Sequence, residues 1–156
     1  MLKTILLVLV LDCTTAGLAM ADCINLTGKF FINGEDGGGF LRIKQAGCKS
    51  VSFYRETNYL ETVSKASLTL IADGIFRRVY GGLLGGKEAY MMAGRFVGQT
   101  FEVTEIPAFS SANKNPLSSF TVYSLDSKKN LVIADKSYDG KGNLSYQAVS
   151  VFPLGE

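Results

Sequence analysis

The chain carries no histidine and three cysteines in 156 residues, which removes most nucleophilic and metal chemistry at once. Ser–His and Cys–His pairs need an imidazole as base, and structural zinc wants four Cys or His ligands. Paired carboxylates are the remaining acid–base option. Glu102 and Glu105 stand three apart in one predicted strand, so period-2 alternation sends them to opposite faces. No catalytic residue, metal ligand or cofactor is therefore assigned, and the chain is expected not to be an enzyme. Binding chemistry is better served. Tyr80, Tyr90, Met92, Phe96, Tyr123 and Tyr146 form the best set for the wall of a small, largely apolar ligand site. A tyrosine offers an apolar ring with a hydrogen-bonding tip, and methionine adapts to irregular shapes. The same residues would equally fill a core or cover its outside. Arg42, Lys44, Arg77, Arg78 and Arg95 fall in predicted strands. An inward arginine among them would meet an anionic headgroup, or brace the fold against Glu102 or Asp135.

The elements that must position these residues begin after a leader. Lys3 gives a positive start, 5–11 is a short apolar run, and 17–21 ends in Ala-Met-Ala, the small-residue pattern of a signal-peptidase site. The run is far too short for a membrane-spanning helix. Asp12 and Asp22 precede Cys13 and Cys23 where lipoprotein signals have a small residue, so cleaved, soluble export is expected, periplasmic or secreted. Residues 1–21 are read as a cleaved signal peptide and 22–156 as one domain. Cys13 leaves with the leader. Cys23 and Cys48 remain as an even pair in an oxidising compartment, where a disulfide is expected.

A hydrophobic content of 47% supplies ample core. The net charge of +2 gives no electrostatic reason to expect nucleic acid or an anionic membrane as partner. Period-2 alternation bounded by turn residues recurs along the mature chain, with no convincing helical period. Strands are predicted over 26–32, 40–45, 48–56, 67–72, 75–80, 88–97, 100–106, 118–125, 131–138 and 144–152. Residues 57–66 carry the least pattern and are expected as a loop or one helical turn. Asp73-Gly74 reads as a type I′ hairpin turn. The glycines at 37–39 and 81–86 read as turns: neither group has the Lys-Ser/Thr of a phosphate loop or opens a helix. The triplets at Asn25 and Asn143 match the N-glycosylation acceptor.

Consecutive short strands without interposed helices predict an antiparallel up-and-down meander. A twisted sheet of 8–10 strands tends to close and remove its edges, so a single barrel is expected first and a sandwich second. At Gly28-Lys29-Phe30 the first strand opens on Gly-x-aromatic, and together with the strand rhythm this resembles the calycin barrels, lipocalins and avidins among them. In those families the aromatic is usually Trp; here Phe30 takes its place and the chain has no Trp. The resemblance implies a barrel with a cavity, and no specific ligand. Two functional classes follow. One is an exported, disulfide-stapled barrel holding a small, largely apolar ligand. The other is a non-catalytic module that binds an envelope or host protein, like an inhibitor, through loops 107–116 and 81–87.

Overall fold

The computed structural model describes residues 22–34, 37–59, 62–80, 89–107 and 118–155. The leader expected over 1–21 lies outside them. Ten strands follow one another: β1 (Gly28–Gly34), β2 (Gly37–Ala46), β3 (Ser50–Tyr59), β4 (Thr62–Ile71), β5 (Arg77–Tyr80), β6 (Ala89–Val97), β7 (Thr100–Pro107), β8 (Ser118–Leu125), β9 (Leu131–Tyr138) and β10 (Leu144–Phe152). The described residues contain no helix, and none is long and apolar enough to cross a membrane. The strands make two antiparallel meanders. β1 to β4 form a four-stranded sheet and β5 to β10 a six-stranded one, each strand beside its neighbour in sequence.

No closed barrel is found among the described residues: the single continuous sheet expected from the sequence divides between β4 and β5. The Asp73-Gly74 pair explains where. Gly74 takes φ +73°, but Asp73 does not join it in the left-handed region that a type I′ turn requires at both positions. The Asp73 carboxylate instead accepts from the Ile75 N–H at 3.0 Å and grips the Arg77 guanidinium at 2.7 and 2.6 Å. That side chain shapes an Asx-type corner rather than a hairpin. Gly74 N–H then donates to the Gly94 carbonyl at 2.9 Å, and Asp73 bridges to Arg95. The chain thus passes from one sheet to the other. A matching seam lies at the far edge, where Phe31 N–H donates to the Pro153 carbonyl (2.9 Å) and Gly155 N–H to that of Lys29 (2.7 Å). Among the described residues a corner and a short seam, rather than a continuous ladder, join the sheets.

Residues 57–66, expected as a loop or helical turn, instead extend β3 to Tyr59 and open β4 at Thr62, with 60–61 outside the described residues. Residues 62–65 are exposed, so no buried face imprints an alternation there. The backbone ladder to β3 sets the structure.

The core lies between the sheets. Inward alternation buries Leu41 and Ile43 on β2, Val51 and Phe53 on β3, and Leu68 and Leu70 on β4 against Phe101, Val103 and Tyr123. The rings of Phe53 and Tyr123 lie 5.0 Å apart, and those of Phe96 and Phe101 4.9 Å, within the range of favourable tilted contacts. Phe30 is 1% exposed. Its ring folds back over Gly28, where a Cβ would stand 2.8 Å from the ring tip. That contact gives the Gly-x-aromatic opening a packing reason.

Residues 22–27 close the base. Leu26 is fully buried and Ile24 nearly so. The Gln45 amide holds them, donating to the Ile24 carbonyl at 2.9 Å and accepting from the Leu26 N–H at 3.0 Å. Cys23 and Cys48 form the expected disulfide, with Cα atoms 5.7 Å apart, and tie this segment to the turn between β2 and β3.

Candidate ligand-binding cavity

The register places the inward residues of the six-stranded sheet in layers. Above the Leu125–Leu131 pair at the base, Phe101, Tyr123 and Ile133 stand side by side on β7, β8 and β9. One step outward come Val103, Thr121 and Asp135. A further step brings Met92, Glu105, Ser119, Ser137 and Tyr146 into one row across β6 to β10. The wall therefore grades from aromatic to hydroxylated and acidic. On the four-stranded sheet, Ile43, Phe53 and Leu68 form one row and Leu41, Arg55 and Ala66 the next.

Above the aromatic layer the two walls line a partly open cavity of about 370 Å³, at the lower end of the range for small-molecule sites. Ile32, Leu41, Met92, Val103, Ile133 and Phe152 supply its apolar lining. Arg55, Glu105 and Asp135 supply charge, with Ser119, Thr121, Ser137 and the two tyrosines Tyr123 and Tyr146 completing the wall.

The electrostatics are unbalanced. Arg55 Nε is buried and finds no hydrogen-bond acceptor, an arrangement that ordinarily costs about 1–3 kcal/mol. Among the described residues, the ion pairs are Lys65–Glu56, Arg77–Asp73 and Arg95–Glu102, and no cavity charge takes part in them. Burial pushes the Glu105 carboxyl above its ordinary value. Burial also pushes the Tyr123 phenol well up, and the nearby Asp135 and Glu105 carboxylates add to it. The phenol is therefore neutral and available as a donor.

The six residues picked from the sequence separate by position. Met92, Tyr123 and Tyr146 line the cavity. Tyr123 is buried at its foot, whereas Tyr146 is 57% exposed. Tyr90 and Phe96 are half-buried beside the core. Tyr80 is 71% exposed, on the opposite side of its strand from Val79. The five cationic strand residues are absent from the cavity lining. Arg42, Lys44, Arg78 and Arg95 are exposed, Arg77 grips Asp73, and Arg95 braces Glu102 at 2.8 Å. Glu102 and Glu105 do stand on opposite faces, one in that ion pair and the other in the cavity.

Arg55 is one of several cavity residues absent from the set that the sequence points to. Its signal is alternation: Val51, Phe53 and Arg55 share one face of β3, so burial of the first two turns the arginine inward. Gly94 makes room for this interior. A Cβ there would lie 2.6 Å from the tip of the Phe101 ring. Among the described residues no group of three or more His, Cys, Asp or Glu is placed to hold a metal ion. No protein-family model, curated protein or solved structure matches the chain.

Proposed function

We propose that this chain is an exported, non-catalytic binding protein whose two sheets act as the halves of a small up-and-down barrel and hold one small amphipathic ligand between them. The observation that carries the proposal is the cavity with its buried, acceptor-less Arg55 Nε beside an apolar wall. A filled core has no use for an arginine there, since burying a polar group without a partner destabilises the fold. A ligand oxygen would supply the missing acceptor. The apolar lining extends the largely apolar ligand expected from the sequence: its body would contact Leu41, Met92 and Ile133, and its polar end the charged residues. Export is supported by the disulfide, which persists in oxidising compartments.

The protein-binding alternative rests on loops 107–116 and 81–87, of which 108–116 and 81–87 lie outside the described residues. Native mass spectrometry separates the two. Protein purified gently from its exported compartment is expected to carry an added mass that denaturation releases. Thr121→Trp, which projects a large ring into the cavity, is expected to abolish it. An unmodified mass, together with no thermal shift from any small amphiphile, would move the assignment to a protein partner.

A further inference from the structure

The charges around the cavity go further than an amphipathic ligand in general. One guanidinium, Arg55, faces two carboxylates, Glu105 and Asp135, which leaves one unbalanced negative charge when all three are ionised. The carboxylates belong to β7 and β9, on either side of β8. Their backbones are therefore about 12 Å apart, two strand spacings across and one two-residue step along. Between them β8 presents the hydroxyls of Ser119 and Thr121, with the Tyr123 phenol one step deeper. A group seated over Ser119 and Thr121 would have a carboxylate on each flank and hydroxyl oxygens beneath it.

No protein cation fills that position among the described residues. Arg55 lies on the opposite sheet and forms no ion pair with either carboxylate. Lys136, next in sequence to Asp135, is exposed on the outer face, and Arg95 is engaged with Glu102 outside. The position of Glu105 points the same way, because burial lifts its carboxyl and no cation counters the lift. A neutral ligand would desolvate these carboxylates further without compensation, and an anion would add like charge beside them.

We infer, building on the ligand-binding function proposed above, that the ligand is a small organic cation: an amine on an apolar body, its ammonium held between Glu105 and Asp135 over the β8 hydroxyls, and an oxygen elsewhere on that body accepting from Arg55 Nε. The cavity volume, about a dozen waters' worth, limits the body to roughly one ring with a short chain. Selectivity comes from the carboxylate pair and affinity from the apolar wall.

Three probes with one body and different heads test this: 4-phenylbutylamine, 4-phenylbutan-1-ol and 4-phenylbutyrate, titrated calorimetrically into the disulfide-intact protein at pH 7. The amine is expected to bind at least tenfold more tightly than the alcohol, and the carboxylate most weakly. In Glu105→Gln/Asp135→Asn the amine should fall to the alcohol's affinity while the alcohol stays within a factor of two, which also shows that the variant remains folded. Should that variant fail to fold, Asp135→Asn alone must lower the amine-to-alcohol ratio. Alcohol or carboxylate binding as tightly as the amine would overturn the cation assignment and leave the cavity standing. A preference for amine that survives neutralisation of both carboxylates would overturn their role. Binding of none of the three would overturn the cavity function and this inference with it.

Discussion

Replacing both cysteines of the Cys23–Cys48 bridge with serine tests how the base of the molecule is held. The bridge spans a sequence separation of 25. On the chain-entropy model a loop of that length restricts the unfolded chain by about 12 cal/mol/K, or about 3.5 kcal/mol at 25 °C. The native contacts of the segment survive without the bond, apart from the 3.4 Å hydrogen bond that Gln45 Nε2 donates to Cys23 Sγ, where a serine oxygen can accept in its place. Leu26 stays buried against the core, and the Gln45 amide still has the Ile24 carbonyl and the Leu26 N–H as partners. The loss should therefore be loop entropy alone, a large part of a folding free energy of about 5–15 kcal/mol. At roughly 3–4 °C per kcal/mol for a domain of this size, Tm should fall by about 10–14 °C. Far-UV circular dichroism through thermal and guanidinium unfolding would measure it. Tyrosine fluorescence gives a second probe, since the chain has seven Tyr and no Trp. A loss under about 1 kcal/mol would refute the entropic account. So would a lowered denaturant slope in the variant, which would mean that the segment had come off the core.

Other substitutions report on other parts of the structure. Phe30→Ala should cost about 3–5 kcal/mol by denaturant titration, because the ring is buried and Gly28 beneath it has no side chain to fill the hole; a cost near zero would remove Phe30 from the core. Glu105 has its proton held more tightly in the folded state than in the unfolded one. Its stabilising contribution is therefore complete below the ordinary value of 4.5 and lost as pH rises through the raised folded value. Glu105→Gln should accordingly raise Tm at pH 7, by an amount that shrinks toward pH 4 in a calorimetric series, and a gain independent of pH would contradict the burial assigned to it. Lys129 takes φ +63° in the turn Asp126–Asn130, where the like-built turn Asp139–Asn143 has Gly142 at φ +82°. Both turns are closed by an aspartate accepting two backbone N–H groups. Lys129→Gly should therefore stabilise by up to about 1 kcal/mol, the left-handed penalty relieved less the added chain entropy, and a destabilised variant would show the lysine side chain to have a role of its own.

The strands that alternate cleanly were legible before the structure. β8, β9 and β10 match the predicted spans to the residue, and the disulfide follows from cysteine count and compartment. Legibility failed where burial does not imprint a pattern. The wet ends of β3 and β4 carry no alternation, although backbone pairing makes them strand. Within the site, Met92, Tyr123 and Tyr146 were selected for side-chain chemistry alone, and that criterion could not tell them from Tyr80, which the same chemistry describes and the pleat turns outward. Arg55 is absent from the strand cations that the sequence singles out, although its spacing from Val51 and Phe53 already sets its face.

The sequence by itself therefore determined most of the elements and which of their residues share a face, because a strand's period of two is a local property of the backbone. It also determined the class, since short alternating runs joined by turns leave no room for helices. Only the tertiary structure decided how the sheet divides. Asp73 chose between hairpin and corner by gripping Arg77 and bridging to β6, a contact between elements with no trace in the local pattern. The cavity is likewise a tertiary property. Arg55 and the Glu105–Asp135 pair lie on different sheets, distant in the chain, and what they enclose depends on how the two sheets face each other.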